Sequence, residues 1–320
     1  FAGLWVFVRF GSSIFDISPE NLKISQRNLI FPTLIFFISV FLIYASTFLK
    51  NQKIKRTIYF CFLVILCVDL LRFASKFEPF VKSEYLYPES KTIAFLKNDN
   101  NLFRIMTDDS RILPPNFSIM YKIQSVDGYD PLFVGRYAEL ISASERGEPN
   151  IKQPLGFNRI ITPHNFESKI IDFLGVKYIL SLKDLESAKL DKVYQEGETR
   201  IYKNKNYFPR VFFVENVIKA GNKQESIEKV FEENLQKTAI VEENLSGKFG
   251  MGKVDIVSFS ENKILLKTEN NAEGFLVIVE TFYPAWKAKI DGKDTKIYRT
   301  NFNFRGIVVP NGSKNIELYM

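Results

Sequence analysis

LIFPTLIFFISVFLIYASTFL (29–49) and TIYFCFLVILCVDLLRFAS (57–75) are two apolar runs joined by KNQKIKR (50–56). The first run holds no charged side chain and the second holds only Asp69 and Arg72, both near its end. At a rise of about 1.5 Å per residue, roughly 20 such residues span the hydrocarbon of a bilayer. The joining segment carries Lys50, Lys53, Lys55 and Arg56. Basic residues concentrated in a short loop mark the cytoplasmic side of a membrane hairpin. The reading is therefore two transmembrane helices, 29–49 and 57–75, around a basic cytoplasmic loop 50–56. Residues 1–28 then form an extracytoplasmic or interfacial segment, and residues 76–320 lie outside the cytoplasm.

A mean hydropathy of −0.06 hides these runs because the long polar remainder dilutes them. Charge divides the same way. Residues 1–75 hold eight Lys/Arg against three Asp/Glu, leaving 35 against 33 beyond them. The pI of about 9.1 thus reflects topology-setting charges rather than a basic face, and no nucleic-acid partner is expected. Cys61 and Cys67 both fall in the second run. Six residues turn a helix through about 240°, so the two thiols point apart and no disulfide is expected. The chain opens on Phe1-Ala2-Gly3-Leu4-Trp5, and the strand-like 314–319 stops abruptly. These ends read as those of a piece cut from a longer protein.

Beyond the apolar runs, KTIAFLK (91–97) reads as a short helix and LFRIM (102–106) as a strand. DPLFVGRYAELIS (130–142) reads as a helix with Asp130 as N-cap and Pro131 at its first position. FESKIIDFLG stops at Gly175 and VKYIL follows as a strand. Two short strands flank Gly197, RVFFVEN follows, and 222–236 is a polar helix. From Gly252 onward, short strands succeed one another with Asn270-Asn271, Asp291-Gly292 and Asn311-Gly312 between them. The latter two dipeptides tolerate positive φ and favour hairpins. The fold class expected is a membrane α-helical hairpin plus an extracytoplasmic α+β domain ending in an antiparallel β-sandwich. A Gly-rich SGKFGMG at 246–252 suggests a boundary near 245–251, giving a mixed α/β domain at 76–248 and a truncated sandwich at 249–320.

Three stretches together resemble the YfhO-like family of bacterial multi-pass membrane proteins. They are Asn116-Phe117-Ser118 followed by SVDGYDPLFVGRY (125–137); FLGVKYIL (173–180) with PRVFFV (209–214); and ETFYPAWKAKIDGK (280–293) followed by NFNFRGIVVPNG (301–312). The resemblance covers about residues 57–320. YfhO-like proteins are similar to integral-membrane glycosyltransferases of the C superfamily, which move sugar from a polyprenyl-phosphate donor to an envelope polymer or lipid. In those enzymes the acidic catalytic residue lies in the first external loop, and no residue of this chain matches that region. The resemblance thus implies a lipid bilayer, a polyprenyl-phosphate sugar and an envelope glycan acceptor as partners, with catalytic residues upstream and no cofactor in this chain. The competing class is a non-catalytic, membrane-tethered module binding glycan or protein.

His164 is the only histidine, which leaves no material for a multi-His metal site, and it stands in the turn-like TPHN. No phosphate-binding glycine loop is present. Asp69 sits in a membrane run with Arg72 three residues on, so a charge pair near the interface is expected. Asp127, Tyr129, Asp130, Arg136 and Tyr137 form the densest polar and aromatic cluster. Carboxylates and guanidinium can grip sugar hydroxyls or phosphate, while aromatic rings stack on sugar C–H faces. The competing local reading makes Gly128 a turn, Asp130 a cap and the tyrosines core-edge residues. Tyr283, Trp286 and Arg305 raise a second carbohydrate-binding possibility, against a Trp that alternates with Ala288 and Ile290 to fill a sandwich core.

Overall fold

Helices form where the apolar runs stand, and they extend well past them. A computed structural model describes residues 1–10, 17–78 and 81–320 and divides into two units, Phe1–Tyr87 and Pro88–Met320. Residues 11–16 of the expected 1–28 segment and 79–80 of the expected 76–248 domain lie outside the described residues.

In the first unit a short helix, Ala2–Phe10, precedes helices Pro19–Phe48 and Gln52–Phe77. Both longer helices are long and apolar enough to cross a membrane. Their most apolar windows are 0% and 6% buried against protein, unlike a core helix. Phe37, Phe41, Leu63 and Leu71 all lie exposed. Ser18 caps the first, its Oγ accepting from Asn21 N at 3.4 Å. The connection is shorter than the expected 50–56 loop. Asn51 caps the second helix, accepting from Lys53 N at 2.9 Å, so Lys53, Lys55 and Arg56 join its opening turns. Asp69 and Arg72 form no ion pair. Arg72 instead lies 4.1 Å from the Phe31 ring centroid, because its long side chain reaches an aromatic face on the neighbouring helix. Cys61 and Cys67 are free thiols.

In the second unit the first sheet runs Gln124–Ser125, Arg104–Thr107, Val176–Ser181, Thr199–Asn204, Leu190–Glu196. Its first three strands are parallel and the rest antiparallel. Helix Lys91–Lys97 belongs to the apolar cluster on one face, capped by Ser90 Oγ accepting from Ile93 N. Helices Gly135–Arg146, Lys169–Phe173 and Lys223–Glu232 contribute to the cluster between the first and second sheets. Gly175 closes the middle one at φ +73°, where a Cβ would be strained.

The second sheet runs Gly247–Lys248, Asn216–Lys219, Thr238–Val241, Tyr298–Thr300, Phe304–Val309, Gly274–Thr281, Val211–Val214. It draws strands from both sides of the boundary expected near 245–251, so residues 88–320 fold as one unit. The reason is visible in Gly274–Thr281. Phe275, Val277 and Val279 enter the cluster toward the first sheet, while Leu276 and Ile278 enter one toward the third. A strand buried on both faces must be apolar throughout, as FLVIV is. The third sheet, Gly252–Phe259, Lys263–Asn270, Gly312–Tyr319, Lys287–Ile290, Lys293–Thr295, is antiparallel throughout. Asp291 and Gly292 both take positive φ and close a two-residue hairpin, as their side chains allow.

Candidate functional site

A cleft of about 870 Å³ opens where the edge of the first sheet, the 116–122 turn and the ends of the other two sheets converge. Asp127, Trp286 and Arg305, drawn from the two separate clusters singled out in the sequence, meet in its wall. A smaller cleft of about 300 Å³ shares Arg104, Ser125 and Asp127 with it and is also lined by Asp130 and Tyr137.

Glu280 is the electrostatic hub. It ends the apolar run of Gly274–Thr281 and accepts from Arg104 Nη2 at 3.2 Å and from Arg210 Nη2. Arg104 also donates to the Leu174 and Val279 carbonyls, and Arg210 donates to Gln124 Oε1 at 2.5 Å. Burial lowers the Arg210 pKa to about 10, with the neighbouring Arg104 charge adding to the effect. One carboxylate thus answers two guanidinium groups.

Among the described residues no carboxylate pairs with Arg305. Its Nε donates to the Thr281 carbonyl at 3.0 Å, and its guanidinium carbon lies 3.7 Å from the Trp286 ring centroid. The residue is 4% exposed, and its Nη1 is buried without a hydrogen-bond partner. Burial lowers its pKa to about 10, so it stays cationic at neutral pH. A buried, unsatisfied cationic donor costs free energy unless a ligand or water satisfies it. Stacking on Trp286 fixes the guanidinium plane. Trp286 therefore offers one face to Arg305 rather than to a sugar, while its body packs on the apolar layer between the second and third sheets.

Asp127 stands half-buried beside this arginine-rich wall, accepting from Ser125 Oγ at 2.6 Å and from Thr107 Oγ1. Burial raises its pKa, and the two hydroxyl hydrogen bonds only partly oppose that. Its negative charge is thus disfavoured where it stands.

The other expected site residues lie outside the lining of the larger cleft. Arg136 turns away from the cleft, pairing with Glu242, donating to the Phe302 carbonyl at 2.9 Å and lying over the Phe302 ring. It braces the Asn301-Phe302 turn, where both residues have positive φ. Tyr137 donates to the Val126 carbonyl at 2.7 Å, and burial pushes its pKa up to about 12. Asp130 does not cap a helix: its Oδ1 accepts from Leu132 N in a local turn, and the helix begins only at Gly135. Tyr129 is exposed, its backbone clamped by the Asn116 side chain. Tyr283 is exposed and outside the cleft lining. His164 is half-exposed, with Nδ1 3.6 Å from Asp108.

Arg104, Arg210 and Glu280 were missed in the sequence. Their signal was a charge set in or beside an apolar strand, as in LFRIM, PRVFFV and FLVIVE. Among the described residues no group of three or more His, Cys, Asp or Glu could hold a metal ion. No family model, curated protein or solved structure matches this chain.

Proposed function

We propose that this chain is the anchoring and recognition part of a multi-pass, YfhO-like cell-membrane protein, and that its cleft binds the anionic group of a phosphate-bearing saccharide. Helices Pro19–Phe48 and Gln52–Phe77 cross the bilayer, the basic turn faces the cytoplasm, and residues 88–320 work outside it. The second and third sheets, sharing one apolar layer, constitute the β-sandwich. The parent activity is transfer of sugar from a polyprenyl-phosphate donor to an envelope glycan. The residues of this chain bind and orient, and none is assigned as catalytic.

The observation that carries this reading is the buried Arg305 guanidinium, stacked on Trp286 with an unsatisfied donor, in the wall of a large cleft. Arginine held in a plane recognises phosphate oxygens well. A neutral sugar hydroxyl could also accept from that donor, but without the charge assistance a phosphate oxygen brings.

The test titrates the full chain in lipid nanodiscs with glucose 1-phosphate, inorganic phosphate and glucose. Trp5→Phe leaves Trp286 as the sole tryptophan reporter. Saturable change with the sugar phosphate, little with glucose, and loss of at least tenfold in affinity in Arg305→Gln is expected. An equal response of Arg305→Gln, or none to any of the three, refutes the reading.

A further inference from the structure

The loops bordering both clefts carry apolar side chains that the second unit does not bury. Ile119 and Met120 stand exposed on the 117–121 turn, beside Lys122. Leu132, 89% exposed, and Val134 stand on the segment before helix Gly135–Arg146. Tyr129 and Ile160 lie opposite each other in a two-stranded ribbon, both exposed.

These are one surface rather than scattered side chains. The Asn116 amide donates to the Tyr129 carbonyl at 2.7 Å, while Tyr129 N donates to Asn116 Oδ1, tying the turn to the ribbon. Asp130 N donates to the Arg159 carbonyl, and Asp130 Oδ1 accepts from Leu132 N. Ile119 lines the larger cleft and Val134 the smaller, so the apolar rim borders both.

The rim also adjoins the point where the chain enters this unit. Tyr121 Oη donates to the Pro88 carbonyl at 3.1 Å, and Pro88 is the unit's first residue. Residues 78–87 join Pro88 to the apolar helix ending at Phe77. Ten extended residues reach at most about 35 Å, so a bilayer crossed by that helix is within reach of this rim. A contiguous apolar rim of this kind marks an interaction surface.

We propose that Ile119, Met120, Tyr129, Leu132, Val134 and Ile160 dip into the interfacial layer of the bilayer that the helices cross, holding the cleft mouths at the membrane surface. Lys122 stands beside the inserted side chains, where an ammonium meets lipid phosphates. The cleft is thereby presented to a saccharide phosphate carried on a lipid rather than one free in solution. This rests on the membrane-anchored reading given above.

The experiment places single spin labels on the full chain in nanodiscs of phosphatidylcholine with phosphatidylglycerol. Met120→Cys, Leu132→Cys and Met251→Cys are each made in a Cys61→Ser, Cys67→Ser background, with native Cys67 labelled separately. Met251 is exposed, beside Gly252 at the opposite end of the second and third sheets from Glu280, and serves as the aqueous reference. Collision with oxygen, which partitions into lipid, is compared with collision with a water-soluble nickel chelate. Docking predicts an oxygen-to-nickel ratio at positions 120 and 132 at least threefold above that at 251, and closer to that of Cys67. Rim labels matching Met251 while Cys67 reports lipid would overturn docking alone. A Cys67 label in water would overturn both the span and the docking. Dipolar broadening between rim labels would make a second copy the occupant and overturn the bilayer assignment.

Discussion

Replacing Glu280 by glutamine should weaken the fold and tighten anion binding at once. Glu280 is 19% exposed and is shared by Arg104, 13% exposed, and Arg210, 2% exposed. Removing one partner from a buried ion pair costs about 3–5 kcal/mol, because the charge left behind has lost its compensation. Glutamine keeps one acceptor oxygen, which brings the expected loss to about 2–4 kcal/mol. For a unit of this size that lowers Tm by roughly 5–12 °C. The same change removes a negative charge from the cleft wall. At an effective dielectric of about 20, and with salt screening, that is worth roughly 1–2 kcal/mol to a bound anion, or about five- to thirtyfold in affinity. Thermal unfolding followed through Trp286 fluorescence, and glucose 1-phosphate titration of the same sample, measure both quantities. Lys97→Ala, which breaks the exposed Lys97–Glu89 pair, sets the baseline at about 0–1 kcal/mol. An E280Q protein no less stable than that control would refute the hub. A destabilised protein with unchanged or weakened phosphate affinity would refute anion binding beside Glu280.

Arg136→Ala should lower stability by about 2–4 kcal/mol, since it unpairs Glu242 and releases the Phe302 turn. Its sugar-phosphate affinity in the same titration should stay unchanged, and a tenfold loss would return Arg136 to the binding site. Gly306→Ala should cost about 1–3 kcal/mol in a denaturant titration, because an added Cβ would press on Thr300 Oγ1 and stand 2.5 Å from Phe275 Cζ; wild-type stability would mean that both side chains can move aside. Asp127 and Asp99 should respond to pH with opposite sign. Burial raises the folded pKa of Asp127, so stability falls as pH climbs from the ordinary 3.8 through the raised value, and Asp127→Asn should flatten that slope. At Asp99 burial pulls upward, but the Lys177, Asn101 and Tyr178 hydrogen bonds outweigh it and hold the pKa at about 2. The Asp99 contribution is thus present above 3.8 and lost as pH falls toward 2, and Asp99→Asn should remove that acid-side loss. Melting curves from pH 2 to 8 check both; matching slopes in the two variants would show that neither carboxyl is placed as described.

Local pattern alone was enough for the two long helices, the helices at 91–97 and 223–232, and most strands of the last third. Their signals are carried within a few residues: an uninterrupted apolar run, a Ser90 cap, an Asp291-Gly292 turn. Asp130 shows where local pattern fails. Its side chain satisfies Leu132 N either at a helix start or in a free turn, and only the surrounding chain selects the turn.

The sequence by itself determined that the chain joins an apolar helical pair to a polar, strand-rich region, because hydrophobicity and turn chemistry are written residue by residue. Only the tertiary structure decided that strands on either side of Gly247–Gly252 share one sheet, since sheet partners are set by which faces find apolar cover across long separations. It alone set Arg136 against Glu242 and Arg305 on Trp286, with no carboxylate paired with it among the described residues. A charged side chain carries no mark of its partner in the sequence. Whether it braces a turn or waits for an anion depends on which backbone and which ring fold up beside it.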